Sequence, residues 1–240
     1  METKIDEIAP DIFRLSTWIG EVAPPAGFTF NQFLIRDEEP FLFHTGMRGL
    51  FPLVSAAVGK LVAPASLRWV GFGHVEADEC GALNHWLAAA PNAQAAHGEL
   101  ACMLSVNDLA DRPPRAFAAG EVLVTGSHRL RFLPTPHVPH NWEAGLWYDE
   151  TTGTLLAGDL FTHIGAGPAL VEDSVVDPAV AAEKIFRGTS GGPTLVPTLR
   201  GLADLEPTTL ALMHGSSFHG DGGAELRALA AAYEQALALG

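Results

Sequence analysis

Four separated segments of this 240-residue chain carry metal-binding side chains at or shortly after the end of an apolar run. The segments are Gly73-His74-Val75-Glu76-Ala77-Asp78, His137-Val138-Pro139-His140, Leu155-Leu156-Ala157-Gly158-Asp159 and Leu212-Met213-His214. Burying this many carboxylates and imidazoles together without cations would cost several kcal/mol for each unpaired charge. The sequence therefore predicts a fold in which these segments converge on a metal cluster.

The first segment offers ligands at alternate positions. Because alternate side chains of an extended segment point to the same side, His74 and Glu76 can share one ion while Asp78 turns to a neighbouring ion. Asp78 and Glu79 have a second explanation, since acidic residues favour the N-terminus of a helix. Spacing alone leaves both explanations open for these two residues.

Each of the other segments is a weak signal by itself. The proline-rich loop has two histidines three positions apart, and we take His140 as a ligand and His137 as a surface residue or a neighbour of a ligand. A lone strand-end carboxylate such as Asp159 is more often a turn former than a ligand. His214 alone would indicate nothing, and only the joint occurrence of all four segments favours a metal site.

Hydrophobic periodicity divides the chain into strands and helices. The predicted strands are 12–19, 28–35, 41–45, 67–72, 93–96, 121–124, 128–133, 145–149, 154–157 and 209–213. The predicted helices are 50–61, 79–89, 99–110, 178–186, 197–205 and 224–239. This order predicts an α/β fold of two sheets with helices outside them.

Composition argues against several classes of protein. The net charge of −14, without a cluster of Lys and Arg, argues against nucleic acid and anionic lipid as partners. No apolar run is long enough to cross a bilayer and the N-terminus lacks a secretory pattern, so we expect a cytoplasmic protein. Two cysteines cannot build a four-thiolate site, so a metal must use His and carboxylates. Length and even composition predict one domain over residues 1–240.

Taken together, these segments resemble the metallo-β-lactamase superfamily, and within it the oxygen-binding diiron domain of flavodiiron proteins. The resemblance also covers the segments 30–35, 140–145 and 157–161. It implies a metallo-β-lactamase-type αββα four-layer sandwich. Glu76 distinguishes the branches, because hydrolases of the superfamily usually carry His at this position and the diiron branch carries Glu.

Carried over to this chain, the resemblance implies two iron ions, with zinc or manganese as alternatives. One ion would be held by His74, Glu76, His140 and Asp159, and the other by Asp78, Asp159 and His214. A ligand set rich in carboxylates favours iron or manganese over zinc.

Three features depart from the family pattern. Glu79 stands where the family has His, so the second ion either gains a carboxylate ligand or keeps an open position. His44 stands where related proteins often have Asp, and we expect it to neighbour a ligand or lie in the core. No flavodoxin-like domain is recognised after these segments, so we expect no flavin in this chain.

The resemblance implies a non-haem diiron protein that binds O2 or NO. It would act as an oxygen sensor or carrier, or as an O2 or NO reductase supplied with electrons by a separate redox protein. Trp142 and Phe161 would wall a gas pocket or pack in the core. A dinuclear hydrolase of esters, thioesters or lactones is the alternative. The resemblance also raises pairing of two chains, which the sequence leaves open.

Overall fold

The architecture is a sandwich of two sheets between two layers of helices. The computed structural model describes the backbone of residues 1–238 and the side chains of residues 1–236. Two seven-stranded sheets face each other across a shared apolar core, and a further apolar core lies under the helices on each outer side. The predicted αββα fold class is confirmed.

The first sheet has its strands in the order β1-β2-β3-β4-β5-β6-β7. The strands are Thr3–Ala9, Ile12–Ile19, Phe28–Ile35, Phe41–Phe43, Trp69–Gly71, Gln94–Gly98 and Arg115–Phe117. β1 to β4 pair antiparallel and β4 to β7 pair parallel. Parallel neighbours need crossover connections. These connections contain the helices α1 (Phe51–Val58), α2 (Ala77–Cys80), α3 (Leu83–Ala89), α4 (Glu99–Ala101) and α5 (Asn107–Leu109). A π-helical turn (Cys102–Val106) joins α4 to α5.

The second sheet has the order β12-β14-β13-β11-β10-β9-β8. Its strands, β8 to β14, are Val122–Val124, Arg129–Pro134, Gly145–Asp149, Thr154–Leu156, Leu170–Val171, Thr209–Ala211 and Ser217–His219. The helices α6 (Val176–Phe186), α7 (Leu195–Ala203) and α8 (Gly222–Ala238) cover its outer face. β11 and β13 pair parallel, so the loops that follow them leave from the same edge.

Aromatic rings fill the space between the two sheets. Trp147 is fully buried, and its ring centroid lies 5.3 Å from that of Phe41, 4.9 Å from Phe117 and 5.2 Å from Phe132. Gly71 is required beside this cluster, because a Cβ there would lie 2.6 Å from the Phe41 ring. Such close packing makes the sheet-to-sheet distance sensitive to a change in volume.

All ten predicted strands are present, with ends that differ by up to two residues. The predicted helix 79–89 is instead two helices, α2 and α3. The sequence analysis missed β1, β7, β12 and β14, which are edge strands or strands next to an edge. Their pairing comes from distant parts of the chain, which local periodicity does not report. The predicted end of the last helix at Leu239 lies outside the described residues.

Among residues 1–238, the helices are too short or too polar to cross a bilayer.

Candidate metal centre

Four of the predicted ligands form a tight group at the edge of the sandwich. Each of His74, Glu76, His140 and Asp159 offers one donor atom, and these four atoms lie within 4.8 Å of one another. His74 follows β5, Glu76 precedes α2, His140 lies between β9 and β10, and Asp159 follows β11. Strands of both sheets therefore deliver ligands to one point.

The Nε2 atoms of two imidazoles in this group point toward each other. The distance between Nε2 of His74 and Nε2 of His140 is 2.8 Å, and Glu76 Oε2 lies 2.8 Å and 3.2 Å from these two atoms. Two imidazole lone pairs at this separation repel unless a proton or a cation lies between them. The arrangement therefore suits a cation that binds both nitrogens.

Asp159 continues the group toward a second set of donors. Its Oδ2 lies 3.7 Å from His74 Nε2 and 3.6 Å from His140 Nε2, whereas its Oδ1 lies 3.2 Å from His214 Nε2. Asp78 Oδ2 lies 3.3 Å from the same nitrogen of His214. Asp159 Oδ1 is buried without a hydrogen-bond partner in the described part of the chain, as expected of an oxygen that takes a metal ion. The residues therefore fit two neighbouring ions that share Asp159.

The three imidazoles are oriented alike. Nδ1 of His214 lies 2.8 Å from the carbonyl oxygen of Thr29, and Nδ1 of His140 lies 2.7 Å from the carbonyl oxygen of Gly188. Nδ1 of His74 lies 3.2 Å from a carboxylate oxygen of Glu79. When Nδ1–H donates to such an acceptor, Nε2 keeps its lone pair. All three rings therefore present Nε2 to the centre.

Polar residues of β2 and β3 hold the loop that carries His214. The Asn31 amide donates to the carbonyl oxygens of Leu212 and Gly215, at 2.8 Å and 2.9 Å. Thr29 Oγ1 accepts the backbone N–H of Gly215, and the buried Arg14 donates to the Gly215 carbonyl. These contacts were not predicted. The available signal was the presence of polar residues inside an otherwise apolar strand.

The concentration of carboxylates changes the protonation of the histidines. Burial opposes the charge of His74, but the carboxylates of Glu79 and Glu76 outweigh it and raise its pKa to about 12. Burial likewise opposes the charge of His214, but Asp159 and Asp78 raise its pKa to about 10. Contact with Glu76 raises the pKa of His140. Without metal, protons hold the positions that cations would take.

A cavity of about 210 Å³ opens beside the cluster. Glu76, Asp78, His140, Asp159 and His214 line it, whereas His74 does not. The rest of the lining was not predicted, because most of it comes from segments far from the ligands in the sequence. It consists of Phe28, Pro139, Thr162, Ala179, Ala182, Glu183, Phe186, Gly188, Thr189 and Tyr233.

The other predicted site residues do not line this cavity. Glu79 and His44 are fully buried and do not line it. His137 is exposed. Trp142 is 55% exposed and lines a different cavity. Phe161 is buried in the apolar core under α6 to α8. Of the two roles considered for Phe161, wall of a gas pocket or packing in the core, this position corresponds to packing.

The chain has recognisable relatives. The family model described as "ODP family beta lactamase" matches residues 28–185. The protein named "Putative diflavin flavoprotein A 1" from Nostoc sp. is 30% identical over 138 residues, which cover 56% of this chain and 24% of that protein. The protein with the same name numbered A 2, from Synechocystis sp., is 29% identical over 154 residues, which cover 63% of this chain and 25% of that protein. The chain thus spans about a quarter of the length of these curated relatives.

Solved structures share the fold at lower identity. The metal-soaked Flv1 flavodiiron core from Synechocystis sp. superposes with a TM-score of 0.83 at 23% identity, covering 99% of this chain and 61% of that one. A fragment of diflavin flavoprotein A 5 from Nostoc sp. superposes with a TM-score of 0.80 at 19% identity, covering 99% of this chain and 97% of that fragment. Rubredoxin oxygen:oxidoreductase from Desulfovibrio gigas superposes with a TM-score of 0.79 at 17% identity, covering 97% of this chain and 62% of that one.

Proposed function

Because this chain belongs to the family described as ODP family beta lactamase, we propose that it is a diiron protein that binds O2 or NO. The observation that carries the proposal is the position of Asp159, whose two oxygens face two separate sets of imidazoles. One carboxylate can then serve both ions, and the remaining donors divide into two groups around it. His74, Glu76 and His140 would hold one ion, and Asp78 and His214 would hold the other.

The choice of iron rests on the donor set. Three carboxylates and three imidazoles surround the centre, and the described residues place no thiolate in the cavity wall. Oxygen-rich sets suit iron and manganese better than the thiolate or imidazole sets that zinc favours. A pair of reduced irons would supply the electrons that binding of O2 or NO requires.

The cavity wall supports a small, uncharged ligand. Phe28 stacks on the His214 ring at 4.2 Å between centroids, and Ala179, Ala182 and Phe186 extend the apolar surface. The described lining includes no Lys or Arg that could hold an anionic ester. A volume of about 210 Å³ accommodates a diatomic gas, since a water molecule takes about 30 Å³ in the liquid.

Repeated reduction of O2 or NO would need a continuing supply of electrons. Among the described residues, Cys80 and Cys102 are both free cysteines, and burial raises the pKa of each thiol to about 11, so neither side chain suits that supply. A separate redox protein would deliver electrons if the chain is a reductase. Without one, the chain would act as an oxygen sensor or carrier.

The test is metal analysis followed by gas exposure. Purified protein should contain about two irons per chain, and the anaerobically reduced protein should develop a new absorption band when O2 or NO is admitted. Metal-free protein is the control. Zinc in place of iron, no gas-dependent band, and hydrolysis of an uncharged ester, thioester or lactone would instead establish the hydrolase alternative.

Metal uptake is expected to release protons. His74, with a pKa of about 12, and His214, with a pKa of about 10, both carry a proton at neutral pH in the metal-free protein and must lose it to bind an ion. Affinity should therefore rise with pH through the pKa of His214 and on toward the pKa of His74, because fewer protons compete. Calorimetry in buffers of different ionisation enthalpy measures the number released. Heats that do not depend on the buffer would contradict this expectation.

A further inference from the structure

Glu79 has a different environment from the other acidic residues of its segment. Its carboxylate is fully buried and turned away from the cavity. Oε2 accepts the backbone N–H groups of Gly73 and His74, at 2.5 Å and 2.7 Å. Both donors belong to the loop that carries the first ligand, so the carboxylate ties this loop to α2.

The other oxygen of Glu79 faces two imidazoles. Oε1 lies 3.2 Å from Nδ1 of His74 and 3.5 Å from Nε2 of His44. Within the described residues, Oε1 is buried without a well-aligned hydrogen-bond partner, and these two ring nitrogens are its charged or polar contacts. His44 is itself held by a 3.2 Å contact from its Nδ1 to the Asn31 carbonyl oxygen. The buried carboxylate therefore lies between the backbone of the ligand loop and the two imidazoles.

We propose that Glu79 is a positioning residue that accepts the Nδ1–H of His74, and that it is not a ligand of the second ion. This inference rests on the proposed metal centre. Asp78, Asp159 and His214 would then be the residues that hold the second ion.

The physical effect of Glu79 is to select one tautomer of His74. With Nδ1–H donated to a carboxylate, Nε2 carries the lone pair, and the negative charge behind the ring increases its basicity. Such partners contribute about 10–100-fold to metal affinity. The same carboxylate also fixes the backbone of His74, so ring and backbone are aligned together.

The variant Glu79→Gln tests this role because an amide cannot accept hydrogen bonds both from the two backbone N–H groups and from Nδ1 of His74. If its oxygen accepts the two backbone N–H groups, its NH2 group faces Nδ1 of His74 and favours the wrong tautomer. The test uses a His214→Ala background, because this change removes the imidazole of the second ion and leaves one ion to measure. In this background, Glu79→Gln should weaken binding of the remaining ion about 10–100-fold. Zinc is the probe, measured by competition with a chromophoric chelator.

Glu143→Gln is the matched control. Glu143 Oε1 accepts the backbone N–H of Val75 at 3.0 Å, in the same loop, but the described contacts of Glu143 do not include the His74 ring. This variant should change zinc affinity less than about 3-fold, well below the range expected for a lost ring partner.

Gly73→Ala displaces the carboxylate without changing its charge. A Cβ at position 73 would lie 2.9 Å from Oε2 and 3.1 Å from Oε1 of Glu79, so the carboxylate must shift. We expect weaker zinc binding in the His214→Ala background here as well. Agreement between this variant and Glu79→Gln would tie the effect to the position of the carboxylate.

A measurement on the unmodified chain avoids any loss of folding in the variants. Long-range 1H–15N NMR of the zinc-loaded protein should show His74 protonated at Nδ1 and bound to metal through Nε2. An unprotonated Nδ1 would overturn the inference. So would a Glu79→Gln effect found only in a His140→Ala background, because Glu79 would then serve the second ion. If the unmodified chain binds no metal, the proposed function itself fails.

Discussion

Replacing Asp159 with asparagine is expected to prevent the chain from holding two metal ions at once. The two carboxylate oxygens face His214 on one side and His74 with His140 on the other. Asparagine keeps one oxygen and turns the other into an NH2 group, which cannot bind a cation. One ion should be lost, and affinity for the other should fall by at least about 100-fold, since loss of an outer partner alone costs up to that much.

Two further variants test whether the effect belongs to the shared position. Asp78→Asn should weaken only the second ion, because Asp78 Oδ2 contacts His214 and not the other imidazoles. Glu183→Gln also changes a carboxylate that lines the cavity, but one outside the donor cluster, and should leave both binding steps unchanged. Metal titration of the three variants provides the comparison. An Asp159→Asn protein that binds two ions with unchanged affinity would contradict the shared centre.

Replacing Trp147 with alanine is expected to lower the free energy of unfolding by about 3–5 kcal/mol, the usual range for a buried aromatic residue. Trp147 is fully buried between the sheets, against the rings of Phe41, Phe117 and Phe132. The cavity left by the indole cannot close without moving two sheets together. Urea unfolding of metal-free protein measures the loss, because bound metal would add its own stabilisation.

The matched control for this prediction is Trp142→Ala. Trp142 is 55% exposed, so its removal should cost far less, within about 1 kcal/mol. Trp147→Phe should also be milder than alanine, because Nε1 of Trp147 is buried without a partner among the described residues and phenylalanine removes that unsatisfied group. Equal losses for Trp147→Ala and Trp142→Ala would show that the sandwich does not depend on this ring cluster.

The sequence predicted the elements near the ligands better than those at the sheet edges. β3, β5, β11 and β13 are apolar runs with clear ends, so periodicity located them. β1 and β12 pair at the edges of the two sheets, and their sequences are too polar or too short to indicate a strand without the partner. Edge strands depend on pairing more than on local propensity.

The same distinction applies to the candidate site. Side-chain type and strand-end position were enough to select His74, Glu76, Asp78, His140, Asp159 and His214, which the structure brings together around one centre. The role of Glu79 could not be read from the sequence, because Asp78 and Glu79 are neighbours with the same chemistry. The direction of α2 separates them, placing Asp78 at the cavity and Glu79 in the interior.

The sequence by itself determined the two-sheet fold class and the side chains available to the candidate site, because the period of the apolar residues and the identity of the side chains are both local properties of the chain. Only the tertiary structure decided which carboxylate faces the cavity, which atoms orient the imidazoles, and which walls enclose the ligand space. Those properties depend on contacts such as Thr29 with His214, Gly188 with His140, and Phe28 with Phe186. Residues so far apart in the chain are brought together only by the folded structure.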